Sequence, residues 1–385
     1  MMSENVHPGF ANYSKETQEL LVSLDNFLVH VFLNMGIPEF IISTIGVFLN
    51  IFHLFILTRK SMRTGSINVF MTGIAICDLT IMSFISCGRF LLFLASGDMC
   101  ETPFTYYQVF VDMLALMVKE AFRRISAWLV LIMGAVRLLV IRNPLDPKYE
   151  HLSHSSFGWK MTLFVLFMSS IPAVFYSAHI SITAMEDPWV PRENCFGYPA
   201  NYSTTEYIAE FKGLFSLSVD DVDRIYFSID GISKLIPTIL LPFCTFLLVQ
   251  ELNKASANRQ KLTGNQNSFP KKDHTTKLVV VMAVSFMISE GALGVTYVAE
   301  AVVSGDYGLL TLTFILSIFV AINATMHCLI CMTMSSQYQN CVKSLFNCKE
   351  SPIDNYVTEP FFGDIINEQF VNLRYPIHMH SEDNV

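Results

Sequence analysis

The sequence predicts an all-α membrane protein, a bundle of seven transmembrane helices followed by a short amphipathic helix, and three observations predict it. Of its 385 residues, 52% are hydrophobic and only 15% charged, against roughly a quarter charged in an ordinary soluble domain. The mean hydropathy is +0.43 and 32 residues are Phe, more apolar surface than a water-facing exterior accommodates. Apolar windows that reach or approach the roughly 20 residues needed to cross a bilayer core occur seven times.

The windows lie at roughly 36–58, 66–95, 106–141, 158–183, 225–252, 275–303 and 308–334. The third is long and carries internal charges, while the second and seventh are interrupted by single polar residues. Residues 1–35 lack a basic stretch leading into an apolar core and a small-residue cleavage site, so no cleavable signal is expected and the first span serves as its own insertion signal. The expected organisation is an extracellular tail at 1–35, the helical domain at 36–334, a membrane-surface helix at 335–348 and a disordered polar tail at 349–385.

Loop charge gives the bundle a direction. Arg59, Lys60 and Arg63 follow the first span, and Lys254, Arg259, Lys261, Lys271, Lys272 and Lys277 lie between the fifth and sixth, which places these loops in the cytoplasm. The loop at 184–224 holds eight acids against three basic residues, and it is expected outside with the amino terminus. The carboxyl terminus is then inside. The glycosylation acceptors Asn12 and Asn201, each in an Asn-Tyr-Ser triplet, fall on that outer side, whereas Asn323-Ala-Thr lies within span seven and reads as chance. Of nine cysteines, only Cys100 and Cys195 fall in outer segments. Oxidation there predicts a disulfide from the top of span three to the second outer loop, the other reading being two free thiols. No cysteine or histidine spacing suits a metal, and none is expected.

The motif text is specific. Span one carries Gly46 and Asn50, span two Ile76-Cys-Asp78-Leu, and span three Ile125-Ser-Ala-Trp128-Leu, with Arg137 nine residues after the Trp and Asn143-Pro144-Leu beyond it. Span five has Lys234-Leu-Ile-Pro237. Span six opens on Thr275-Thr-Lys277 and continues to Phe286-Met-Ile-Ser289-Glu290, and Met334-Ser-Ser-Gln-Tyr338 follows span seven. In order and register across residues 40–348, this text resembles rhodopsin-like G-protein-coupled receptors, and within them the myosuppressin and FMRFamide-type neuropeptide receptors and the nematode chemoreceptor-type family Srw. The resemblance implies a plasma-membrane receptor for an extracellular ligand, a short amidated peptide, coupled to a heterotrimeric G protein through Arg137 and Pro144. There are departures: Val136 stands where an acid usually precedes the span-three Arg, Glu290-Gly291-Ala292 replaces a motif ending in proline, and His327-Cys328 interrupts the usual Asn-Pro-x-x-Tyr.

Intramembrane polar groups are costly and normally face the bundle interior. Asn50, Asp78, Asn323 and His327 therefore read either as a polar network that rearranges on activation, with a sodium ion at Asp78 as one version of it, or as static interhelical glue. Lys119, Glu120, Arg123 and Arg124 crowd one stretch of span three. At about 1.5 Å per residue, Arg123 lies roughly 21 Å above Arg137, at the depth where the resemblance places ligands. Glu120 has Arg123 and Arg124 within helical reach, so local neutralisation competes with ligand contact. Glu290 is expected to pair with the ligand's guanidinium, the alternative being an internal ion pair to the span-three arginines or Lys234. Tyr338, Val342, Leu345 and Phe346 share a helical face against the membrane, which places Cys341 or Cys348 for palmitoylation, unless the thiol is simply buried or free. No nucleophile, base and metal-ligand set shares one site, so an enzyme is not expected, and membrane lipids rather than nucleic acids are the other partners. A small-molecule chemosensory receptor of the same fold is the nearest alternative. A transporter or channel would call for inverted repeats, and the sequence shows none.

Overall fold

The structure, a computed structural model, describes residues 14–95, 100, 102–143, 146–192, 194–263, 283–303, 307–334 and 336–346. Among them are seven helices long and apolar enough to cross a membrane. These are α1 (Lys15–Leu57), α2 (Ser66–Ala95), α3 (Tyr106–Arg142), α4 (Ser155–Ser177), α5 (Val219–Thr263), α6 (Ala283–Val303) and α7 (Tyr307–Met334), with α8 (Ser336–Phe346) after them. Helices are what a lipid environment imposes, because each backbone N–H and C=O must then be satisfied within its own segment. The outward faces carry residues such as Phe48, Phe167, Ile239 and Phe243, all exposed. Such a belt is matched to acyl chains and would be a liability in water.

Several elements depart from the predicted boundaries, and α5 runs Val219–Thr263 where 225–252 was expected. Helix α1 begins at Lys15, capped by Ser14 whose Oγ accepts from Thr17 N at 3.4 Å, so much of the segment expected as a tail at 1–35 is helical. Its 43 residues span about 64 Å, twice the bilayer core, and Leu20, Leu24, Phe27 and Leu33 stand exposed along the outer stretch. Helix α4 stops at Ser177 rather than continuing to residue 183. Residues Ile180–Ala184 instead form strand β1, paired antiparallel with β2 (Tyr207–Phe211) in the register Ile182 to Ala209. The β-branched Ile180, Ile182 and Thr183 suit a pleated ribbon better than a helix, and the His179 ring hydrogen-bonds the Lys212 carbonyl to close the hairpin base.

The hairpin is held against the bundle. The Cys100–Cys195 disulfide is formed, Tyr198 donates from its hydroxyl to the Cys100 carbonyl at 2.5 Å, and Tyr207 N donates to Phe104 O at 3.4 Å above α3. At the opposite end, α8 lays the predicted face onto the core. Tyr338 is fully buried with its hydroxyl 3.0 Å from His53 Nδ1, Val342 and Leu345 pack beside it, and Gln337 Nε2 donates to Ser61 O at 2.7 Å. Burial pushes ionisation of the Tyr338 phenol up, so the phenol keeps its proton in this contact. The side chain of Phe346 lies outside the described residues.

Helices α5 and α6 approach closely at Gly231, where a Cβ would meet Val298 Cγ2 at 2.7 Å, Val298 N at 2.9 Å and Gly294 O at 3.0 Å. Small residues permit such contact in membranes. Gly231→Val should therefore destabilise the bundle by about 1–3 kcal/mol through overpacking, read as a lowered melting temperature of the detergent-solubilised protein. An unchanged value would mean the helices can separate freely. Helix α6 also contains a π turn at Met287–Gly291. Gly291, with Thr238 Cγ2 only 2.8 Å from where a Cβ would sit, lets α5 press against it.

Candidate functional site

The site is built from α3 outward. Glu120, Arg123 and Arg124 sit at helical spacings of three and four, so they share one face, and all three are buried. Glu120 Oε1 accepts from Arg123 Nη1 at 2.9 Å. Arg124 turns away from Glu120 and pairs with Asp230 on α5, while its Nη2 and Nε donate to the Ser169 carbonyl on α4 at 3.1 and 3.3 Å. One turn below Asp230, Lys234 pairs with it in turn and reaches across to Glu120 Oε2 at 3.2 Å. Tyr297 on α6 closes the ring. Its hydroxyl donates to Glu120 Oε2 at 3.2 Å, its face lies 4.0 Å from Lys234 Nζ, and Phe227 stacks on it at 5.8 Å. Unpaired charges in such a medium are prohibitively costly, so a network of shared partners is the form in which they persist.

Glu290 stands apart. It sits within the π turn of α6, 5% exposed, and among the described residues it forms no ion pair, its Oε2 being buried without a hydrogen-bond partner. The internal ion pair weighed against ligand contact is therefore not made: Arg123, Arg124 and Lys234 are taken by Glu120 and Asp230. Arg123 and Lys234 nevertheless act electrostatically on Glu290. Arg123 is itself only half engaged, with Nε and Nη2 buried and unpartnered. Lys119 is half-buried, between this cluster and a second outer ion pair, Glu39–Arg89 at 2.5 Å, whose other carboxylate oxygen accepts from Ser317 on α7 at 2.7 Å.

The inner polar positions also meet. His327 Nδ1 lies 2.6 Å from Asp78 Oδ2; a carboxylate only accepts, so Nδ1 carries the proton. Asn323 Oδ1 accepts from Ser285 on α6 at 2.5 Å, and Asn50 Nδ2 donates to the carbonyls of Gly46 at 3.0 Å and Ala324 at 3.4 Å. These contacts join α1, α2, α6 and α7 below the charge cluster. Arg137 is half-buried, its Nε unpartnered, and with Val136 beside it no acid restrains it among the described residues. Asn201 is exposed in the outer loop. Cys341 is half-buried and packs against the core. Asn12, Pro144 and Cys348 lie outside the described residues.

Asp230, Tyr297, Glu39 and Arg89 were not among the residues singled out from sequence. Three of them carry a signal that could have been used, since each is an ionisable group inside or beside an apolar window. Tyr297 carries none, being one aromatic among many.

Seven candidate spans around a buried polar interior, with a disulfide before α3 and a further helix after α7, are the architecture of the serpentine G-protein-coupled receptors. Residues 38–349 match the family described as the serpentine type 7TM GPCR chemoreceptor Srw, and the chain belongs to that family. Among curated proteins it is similar to the G-protein coupled receptor dmsr-1 of Caenorhabditis elegans, 24% identical over 264 residues that cover 67% of this chain and 50% of that protein. The match thus spans about half the length of that relative.

Proposed function

We propose that this protein is a plasma-membrane receptor that binds a short amidated peptide of the FMRFamide type in the outer half of the bundle and activates a heterotrimeric G protein from its inner face. The amino terminus is then extracellular and the carboxyl terminus cytoplasmic. The observation that carries the reading is the buried charge cluster of α3, α5 and α6, in which Arg123 Nε and Nη2, the Tyr226 hydroxyl and Glu290 Oε2 are buried without hydrogen-bond partners and so are available to a ligand. The acidic outer loop, with Glu206 and Glu210 among its eight acids, would concentrate a cationic peptide at the entrance. Binding would shift a pre-existing equilibrium through the Asp78–His327 and Ser285–Asn323 contacts to Arg137. In this reading Asp78 serves His327 through Oδ2, which leaves a sodium ion to compete for the same carboxylate.

The test is a screen of cells expressing the receptor with amidated peptides while G-protein activation is recorded. Response to Arg-Phe-amide peptides is expected; silence with surface expression shown would sink the peptide ligand. The family's description as chemoreceptors favours a second reading, activation by small molecules, and the same screen with odorants and metabolites separates the two. Arg137→Ala should leave ligand binding intact and reduce G-protein activation about tenfold or more, the loss of roughly one charge-assisted hydrogen bond. Equal losses in binding and signalling would make Arg137 a structural residue.

A further inference from the structure

A cavity of about 470 Å3 lies between α3, α4 and strand β1, within the roughly 300–1,000 Å3 of small-molecule sites. Its walls include Met113, Met117 and Phe122 of α3, Ala173 of α4, and Ile180 and Ile182 of the hairpin. None of the charged residues of α3 is among them. The polar side chains at its walls are Ser170 and Ser177. Each hydroxyl donates to its own helix, Ser170 to Leu166 O at 2.7 Å and Ser177 to Val174 O at 2.8 Å. Neither has a proton left to offer, but each oxygen can still accept.

These walls select the chemistry of the occupant. A charged or many-armed polar molecule would lose its hydration there and find no partners. Entry is from the membrane, because Phe110, Leu114 and Val174 at the rim are exposed on spans whose outward faces meet lipid. A flexible acyl chain gains little by entering, since lipid tails are as apolar as the walls and ordering the chain costs torsional freedom. A rigid fused ring has no such freedom to lose and keeps the dispersion contacts of a preformed cavity. From Phe110 to Phe122 the α3 wall rises about 18 Å, close to half of a hydrocarbon core of about 30 Å. Ser177 ends α4 beside the hairpin, and Ser170 lies about 10 Å deeper along that helix. One accepting oxygen therefore stands at the mouth end of a long apolar slot.

We propose that this cavity binds a sterol, its ring system lying between α3 and α4 beneath the hairpin and its single hydroxyl donating to Ser177 Oγ. The site is separate from the buried charge cluster and does not depend on what that cluster binds. The two are mechanically joined, because Ser169, whose carbonyl accepts from Arg124 at 3.1 Å, precedes Ser170 on α4. A sterol between α3 and α4 would fix the spacing at which that bond is made.

The experiment places the purified receptor in phosphatidylcholine nanodiscs and labels it with a photoreactive diazirine analogue of cholesterol, mapping the labelled residues by mass spectrometry. Labelling should saturate, fall on the α3 and α4 residues of the cavity, and be displaced by unlabelled cholesterol. Ala173→Phe fills the cavity from its buried wall, and Val174→Trp covers the rim from an exposed position that packing does not constrain. Each should lower labelling at these residues at least tenfold in protein that keeps a cooperative melting transition. Ser177→Ala removes one neutral acceptor and should weaken binding about three- to tenfold. Undiminished labelling in folded Val174→Trp would overturn the proposal even if Ala173→Phe failed to fold. So would label spread over the lipid-facing surface without saturation, which would mean a bulk lipid contact. Displacement by added saturated phosphatidylcholine as effective as by cholesterol would also overturn it, giving the cavity to an acyl chain. Full affinity in Ser177→Ala would overturn the hydroxyl's assigned position.

Discussion

Asp230→Asn is expected to be the most damaging single change in the membrane interior. Asp230 holds two cations at once, Arg124 from α3 and Lys234 from its own helix, and it is fully buried. Without its charge, Lys234 keeps Glu120 at 3.2 Å, but Arg124 keeps no carboxylate and is left with neutral acceptors such as the Ser169 carbonyl. Removing one partner of a buried pair typically costs about 3–5 kcal/mol, a large share of a total stability of about 5–15 kcal/mol. A melting temperature lowered by many degrees, with poor surface expression, is the expected result. Combining Asp230→Asn with Arg124→Gln should restore part of the loss, since the stranded charge goes too, and a double-mutant cycle measures that coupling. A loss below about 1 kcal/mol for Asp230→Asn would show that water already serves Arg124.

The second large effect is expected at the outer surface. Cys100→Ser should cost about 2–5 kcal/mol, because the disulfide ties the outer end of α3 to a loop that the β hairpin otherwise holds only through contacts such as Tyr198 to the Cys100 carbonyl and Tyr207 N to Phe104 O. Cys195→Ser and the double variant should match it. Thermal unfolding with and without reductant checks this: wild type should lose as much on reduction as the variants lose by substitution, and the variants should be insensitive to reductant. Wild type indifferent to reductant would mean that the loop is held by its other contacts alone.

How far the sequence could be read depended on whether a feature was local. The spans were legible because lipid demands a fixed run of apolar residues, and the Glu120–Arg123 pair because three residues along a helix are neighbours by geometry. The outer extension of α1 was not. Hydropathy marks where a helix meets lipid, and residues 15–35, which mix helix formers such as Glu16, Glu19 and Leu20 with other polar groups, leave that signal while continuing the helix. Strand β1 was hidden for the related reason that its isoleucines extend an apolar window without alternating strongly enough to end it. Arg124 and Asp230 are 106 residues apart, so their pairing exists only once α3 and α5 pack. A lone acid in an apolar window announces that it has a partner, but not which. The switch contacts were half legible: Asp78 and His327 stood out one by one, and their meeting at 2.6 Å required the fold.

The π turn at Met287–Gly291 has a rotational meaning. Such a turn accommodates one residue more than an α turn, and one residue corresponds to about 100° around a helix. If the turn relaxed to regular α geometry, the part of α6 on one side of it would swivel relative to the other by about that angle. Glu290 and Ser285 lie on the two sides of its start, one beside the charge cluster and the other bonded to Asn323. The turn therefore sets the phase between the two ends of α6, and any event that reseats Glu290 is coupled by geometry to the position of Ser285.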